Sequence, residues 1–368
     1  MVNKMVFANL VHRPIRSLIS IIAIALEVTL ILLIVGLALG LLRDSRQRQA
    51  GIGADVVVMP PGSSFIVGLT GAPMSIKVGN VLAKLQHVQT VAPVVTTVST
   101  QGAIELIAGI DLSTYEKLSG PFQYLAGGPF QGPDDCLVDD LFARARHVKV
   151  NDKVEILNHP FRVAGIVEPG KGARKFLQLS VMQDLIGAQD KASIFYLKLD
   201  NPANADDVVN EIKNVPGMQN YVATSMAYYL SMMTTSRYPG VSQFIDFVIA
   251  ISMIIGFLVI FQSMYTAVME RTREIGILKS LGASKLYIVN VVLRETLLLA
   301  VAGIVLGVVV SMLARLGIHH HWPLVHIDQS NQWILRSTII AIVGATAGAI
   351  YPAFKAAQKD PIDALAYE

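Results

Sequence analysis

Apolar residues along this chain gather in four long runs, at about residues 18–42, 244–268, 289–313 and 333–351. A polar stretch of about 200 residues separates the first run from the second. Each run reaches or nearly reaches the ~20 residues that cross a bilayer as a helix. A helix in hydrocarbon also satisfies its own backbone hydrogen bonds, so the pattern predicts four transmembrane helices. The first run is too long for the apolar core of a signal peptide. The LLRDSRQRQ after Gly40 has no small-x-small cleavage pattern, so the run reads as a retained anchor. In the polar stretch the period shortens. ADVVVMP, TVAPVVTTV, AIELIAGI, KVEIL, FRVAGIVEP and SIFYLKLD are rich in Val and Ile, bounded by turn formers, and predict strands. Helical stretches intervene near 78–86 and 204–214, the latter with Val208, Val209 and Ile212 on one side. The fold class expected is an α-helical membrane protein with four transmembrane helices. A large extracytoplasmic mixed α/β domain, in two lobes, is inserted between helices 1 and 2. VNDKVEILNHPFRVAGIVEPG would supply hairpin-like strands to a small β lobe.

Composition supports the membrane reading: 53% of residues are hydrophobic and 15% charged, against about 25% charged in soluble domains. The net charge of +3 comes mostly from short basic segments beside the runs. Lys4, Arg13 and Arg16 precede the first; Arg271, Arg273, Lys279 and Lys285 separate the second and third; Lys355 and Lys359 follow the fourth. Arg315 and Arg336 flank the loop on the other side, and Arg43, Arg46 and Arg48 head the long domain, where charge carries less weight. By the positive-inside rule both termini face the cytoplasm and residues ~43–240 lie outside, as expected of a multi-pass membrane protein.

The expected boundaries are an interfacial amphipathic helix at 1–17, with Val2, Met5, Val6 and Leu10 on one face and a break at Pro14. There follow spans at 18–42, 244–268, 289–313 and 333–351, a periplasmic domain at 43–243, a cytoplasmic segment at 269–288, a short outer loop at 314–332 and a tail at 352–368. The lipid bilayer is thus a partner. Nucleic acid is excluded, because no basic stripe carries interleaved aromatics.

Candidate chemistry is sparse. Cys136 is the one cysteine, so no intrachain disulfide forms, and no Cys or His spacing suits zinc. The chain has no G-x-x-x-x-G-K-[ST], no G-x-S-x-G and no H-E-x-x-H, so no catalytic residue and no metal site are expected. GKGARK (170–175) reads as a solvated loop, with an anionic headgroup or partner as the alternative. HHHWPLVHID offers His319, His320, His321, His326 and Asp328, but consecutive histidines splay apart, which favours a surface loop. Within the spans GxxxG occurs at Gly36/Gly40, Gly303/Gly307 and Gly344/Gly348, which predicts close helix packing or dimerisation. Glu27 stands near the middle of the first span, where an ionised carboxylate costs about 2.5–3.5 kcal/mol, so it is either protonated or paired inside a bundle. Glu295 follows Arg294 and is expected to snorkel with it to the interface.

One segment is more specific. MERTREIGILKSLGAS (269–284) reads as a charged helix that extends the second span and turns at Gly282, with Glu270–Arg273 and Arg271–Glu274 able to pair at i,i+3. Ile275, Leu278 and Leu281 make a narrow apolar stripe. The segment resembles the E-R-x-x-E-I-G-x-x-x-A-x-G-A-x motif of ABC transporter permeases of the MacB/FtsX/LolC type, with Ser280 where alanine is frequent and Leu281 where a small or polar residue is common. The end, YPAFKAAQKDPIDALAYE, resembles the closing motif of that family through Pro352, Ala353, Ala356, Pro361, Ala364, Leu365 and Glu368. The opening ANLVHRPIRSLIS is similar to its interfacial helix. LVDDLFARARHVKVNDKVEILNHPFRVAGIVEPG is similar to its external domain, with Asn151 at the usual glycine position before Asp152.

The resemblance implies a MacB-like or DevC-like permease without a fused ATPase, working by mechanotransmission. A separate cytoplasmic ABC ATPase dimer would use ATP and Mg2+, and this chain would need no cofactor. A second permease copy, favoured as a homodimer, a periplasmic membrane fusion protein and an outer-membrane channel would complete an exporter of a lipid, glycolipid, peptide or small amphiphile. LolC-like lipoprotein extraction and FtsX-like control of cell-wall hydrolases are the alternatives. Glu270, Arg271, Glu274, Ile275, Gly276, Leu278, Lys279, Gly282 and Ala283 would form the ATPase-coupling surface.

Overall fold

A computed structural model describes residues 14–63, 72–99, 105–234, 237 and 240–359. Most of the expected interfacial helix, and Pro361, Ala364, Leu365 and Glu368 of the closing motif, lie outside the described residues. The chain divides into two compact units, residues 1–40 with 240–321 and 327–368, and residues 41–239 with 322–326.

Four long helices, Pro14–Ala50, Val241–Glu270, Lys285–His321 and Asn331–Gln358, are each long and apolar enough to cross a membrane. The fold is therefore that of a four-span membrane protein with a mixed α/β domain between the first and second spans. Small residues set the helix spacing in the first unit. A Cβ on Gly303 would stand 2.7 Å from Ile24 Cβ, and one on Gly307 2.7 Å from the Ala25 carbonyl oxygen, so the third helix meets the first almost backbone to backbone. Thr29 Oγ1 adds a hydrogen bond to the Gly307 carbonyl at 3.1 Å. Gly348 meets the second helix in the same way, 2.7 Å from the Phe257 carbonyl, and Gly344 faces Met253 at 3.6 Å. The fourth helix buries Ala341, Ala345, Ala349, Ala353 and Ala356 along one face. Gly36 abuts Ile327, and its carbonyl accepts the Asp328 N–H at 2.8 Å; Gly40 is buried. The GxxxG glycines thus pack one chain against itself.

Glu27 lies inside this bundle, 2% exposed. Its Oε1 has no hydrogen-bond partner among the described residues, and its Oε2 fills the space beside Gly256, where a Cβ would be 2.0 Å away. The paired alternative is not realised for that oxygen. The third helix continues through His321, so His319–His321 form its last turn instead of a loop. The remaining connection ends at Ser330, whose Oγ accepts the Trp333 N–H at 3.4 Å and caps the fourth helix. Among the described residues no group of three His, Cys, Asp or Glu is placed to hold a metal ion.

The second unit is built on strands β1 (Val56–Met59), β2 (Met74–Ser75), β3 (Val88–Ser99), β4 (Glu105–Ile110), β5 (Tyr124–Gly127), β6 (Asp135–Asp139), β7 (Lys153–Ile156), β8 (His159–Val167), β9 (Lys175–Gln178), β10 (Lys191–Ala192), β11 (Ile194–Leu199) and β12 (Val222–Ser225). Ten of them form one ladder in the order β12-β1-β11-β3-β4-β9-β6-β8-β5, with β7 on β8; β2 pairs β10 separately. The lobes expected from the sequence are therefore joined by a continuous ladder. Successive side chains of a strand point to opposite faces, and both faces are covered. Val57, Val94, Phe176 and Tyr196 pack on one, while Val56, Val58, Val95, Leu177 and Phe195 pack on the other. The β7–β8 hairpin turns through Leu157 and Asn158, both at positive φ (53° and 63°), as a tight primed turn requires. Asn151 takes the left-handed conformation (φ 72°) that its glycine-like position implied. Cys136 is fully buried, and burial pushes its thiol up to about 12, which leaves it unreactive. GKGARK, expected to be solvated, is instead largely internal: Ala173, Arg174 and Lys175 are all buried.

Candidate functional site

The second long helix ends at Glu270, and a short helix, Thr272–Ser280, follows after a break at Arg271. Gly282, at φ +95°, makes the turn into the third long helix, a conformation that costs a β-carbon-bearing residue strain. Thr272 Oγ1 donates to the Met269 carbonyl at 2.7 Å, bridging the break.

The inner side of the short helix is anchored in three ways. Ile275 and Gly276 are buried, and Ile275 joins the bundle core with Leu278 and Ala283 packed against it. Arg271 Nη1 donates to both oxygens of Glu295, at 2.9 and 3.3 Å. Lys279 Nζ donates to the Ala357 carbonyl at 2.9 Å and to that of Lys359, satisfying carbonyls left open where the fourth helix ends. Arg16 extends the network, with Nη1 3.1 Å from Glu270 Oε2 and Nη2 4.0 Å from Glu295 Oε1. One ion network thus joins the first, second and third helices. A solvent-open cleft of about 490 Å3 adjoins it, walled by Met264, Val268, Ile275, Leu278, Ile288 and Val292, with Glu274, Arg271 and Glu295 at its polar side.

Two expectations fail here. Glu295 does not snorkel; it is 3% exposed and held by Arg271. The i,i+3 pairs do not form either, since Glu270 is taken by Arg16 and Arg271 by Glu295, while Arg273 and Glu274 are exposed and make no ion pair among the described residues.

The nine residues of the expected coupling surface therefore divide. Ile275 and Gly276 are buried, and Arg271, Leu278, Lys279 and Ala283 are half-buried against the bundle; only Glu270, Glu274 and Gly282 are exposed. The outward face also carries Arg273, Ile277 (43% exposed) and Leu281 (80% exposed), which sequence reasoning did not assign to the surface. The helix ends at Ser280, so Leu281 leaves the stripe that Ile275 and Leu278 begin. The signal available was Gly282, which marks where the helical period stops.

Residues 17–215 match the family model described as MacB-like periplasmic core domain, and residues 247–361 match that described as FtsX-like permease C-terminal. The macrolide export ATP-binding/permease protein MacB of Shewanella sp. (strain W3-18-1) is 24% identical, over 99% of this chain and 60% of its own length. The uncharacterized ABC transporter permease YknZ of Bacillus subtilis (strain 168) is 22% identical, over 99% of this chain and 98% of its own. The chain spans about 60% of the length of the first curated relatives it matches. The crystal structure of the periplasmic region of MacB from Actinobacillus actinomycetemcomitans is similar with a TM-score of 0.39 at 16% identity, covering 50% of this chain and 94% of that one.

Proposed function

Because this chain belongs to the MacB/FtsX-like family of ABC transporter permeases, we propose that it couples ATP hydrolysis by an ABC ATPase dimer to movement of its α/β domain. In this reading the ATPase supplies ATP and Mg2+ chemistry, both termini and the 269–284 segment face the cytoplasm, and the α/β domain is periplasmic. Two permease copies pair in the membrane, flanked by the two ATPase subunits. A membrane fusion protein and an outer-membrane channel carry an amphiphilic envelope substrate onward. The domain moves by mechanotransmission, so the cargo need not pass between the spans.

One observation carries the proposal. The Thr272–Ser280 helix is fixed on its inner side by Ile275, the Arg271–Glu295 pair and Lys279, yet it exposes Glu274, Arg273 and Ile277 on the other, with Leu281 exposed just past its end. A rigidly held helix with an exposed mixed apolar and charged face suits a partner that must push on the bundle, since force applied there reaches three helices at once. Glu274→Lys reverses charge on the exposed face without touching the anchors. It should reduce recovery of the ATPase with the tagged permease from mild detergent at least tenfold while membrane insertion stays normal. Unchanged recovery would remove this helix as the contact.

A further inference from the structure

The end of the first long helix is tied to the α/β domain by buried charges. Arg174 Nη2 donates to Asp44 Oδ2 at 2.9 Å and Nη1 to Asp139 Oδ2 at 3.0 Å. Arg48, one turn after Asp44, pairs with the same Asp44 oxygen. The Arg174 side chain is 9% exposed and that of Asp139 1%. Asp44 and Arg48 belong to the helix; Arg174 directly precedes β9; Asp139 ends β6 and caps the next helix by accepting the Phe142 N–H at 2.7 Å. The helix is held by backbone as well. The Gly172 N–H donates to the Arg48 carbonyl at 2.9 Å, and a Cβ on Gly51 would stand 2.0 Å from the Gly170 carbonyl oxygen. Tyr196 Oη on β11 donates to Gln49 Oε1 at 3.3 Å.

Stability alone is a poor reason for such a cluster. Removing charges from water offsets most of their attraction, and an apolar set of similar volume often does as well or better. Burial indeed pushes the Asp139 carboxyl above its ordinary range, against the pull of Arg174 and the Phe142 N–H. What a planar guanidinium shared between two carboxylates does supply is directional geometry. An apolar contact lets a helix slide or roll; this fork resists both.

We infer that the Asp44–Arg174–Asp139 cluster is a rigid joint that passes displacement of the first helix to the central strands β6 and β9, with Arg174 as its positioning residue. This rests on the coupling reading above.

Hydrogen exchange on the full chain with its ATPase in nanodiscs, with and without ATP plus vanadate, tests it. Asp44→Ala cuts the tie to the helix and leaves Arg174–Asp139 intact, while Arg174→Met removes the fork. Unchanged protection of the β3 and β4 peptides shows that either variant is folded. In both, amides 45–51 should exchange about tenfold faster without nucleotide, as for a local opening. In the wild type, nucleotide should alter exchange in the 272–280 helix and in β6 and β9. In the variants the first response should persist and the second disappear. Unchanged exchange at 45–51, or a retained β6 and β9 response in a folded variant, overturns the joint. No nucleotide response at 272–280 in the wild type overturns the coupling reading itself, and the joint with it.

Discussion

Gly307 and Gly317 lie on the same helix, ten residues apart, and the same substitution at the two should have opposite signs. At Gly307 an added methyl would sit 2.7 Å from the Ala25 carbonyl oxygen, 2.9 Å from Val28 Cβ and 3.1 Å from Ala25 Cα. All three are backbone or β-carbon atoms, so no rotamer change relieves the clash and the first and third helices must separate. Overpacking of this kind costs about 1–3 kcal/mol. The upper half applies because three rigid atoms are met at once, and separation also stretches the Thr29–Gly307 hydrogen bond. Ala is favoured over Gly in a helix by up to ~1 kcal/mol, so Gly307→Ala should destabilise by a net ~1–2 kcal/mol. Nothing lies within 4 Å of a Cβ on Gly317. Gly317→Ala should therefore gain about 0.5–1 kcal/mol from helix propensity alone. Equilibrium unfolding of the purified chain in mixed lipid–detergent micelles, titrated with SDS and followed by tryptophan fluorescence, measures both. Gly307→Ala as stable as wild type, or stabilised like Gly317→Ala, would refute the direct contact between the first and third helices.

Arg271→Met leaves the buried Glu295 carboxylate with only the more distant Arg16, 4.0 Å away, as its cation and should cost about 3 kcal/mol, the lower end of the range for breaking a buried pair, in the same SDS titration. The double variant Arg271→Met/Glu295→Leu should recover most of that, and a double variant no better than the single one would show that the pair is not coupled. Asp135 sets an acid limb for the α/β domain. Burial alone would raise its carboxyl, but the Arg162 guanidinium and the Gln131 and Gly132 N–H groups hold it below the usual range. Its folded pKa is thus below the unfolded value of about 3.9. The stabilisation is fully present above that value and is lost as pH falls through the folded pKa. Thermal unfolding of the wild type should show this loss below about pH 4. Asp135→Asn, which gives up charge-assisted bonds worth about 1–3 kcal/mol at neutral pH, should be flatter there; a wild-type acid limb in the variant would sink the assignment.

The sequence by itself determined what is local. A span is legible because a helix in hydrocarbon satisfies its own backbone, so about twenty apolar residues decide its existence without reference to any neighbour. Segments rich in Val and Ile marked β1, β3, β4, β7, β8 and β11 for the same kind of reason, Gly282 marked a turn by residue type, and Asn151 its left-handed backbone by standing at the family's glycine position. The helix ends were not legible. The first helix runs to Ala50 through charged residues that an isolated segment would not order, because Arg174 and Gly172, more than 120 positions away, hold that last turn.

Only the tertiary structure decided partners and facing. Spacing shows that Glu270 and Arg271 each have an i,i+3 partner, yet packing brings Arg16 to Glu270 and Glu295 to Arg271, and for Arg271 a desolvated partner outweighs a solvated neighbour. GxxxG says that backbones approach closely; it does not say whether the other backbone belongs to the same chain, and Ala25 and Phe257 answer that. GKGARK looks like a solvated loop because its charges suggest water, until Asp44 and Asp139 arrive from two other segments to take the place of water around Arg174. Charges, unlike apolar runs, are placed by whatever folds against them, and that information is spread over the whole chain.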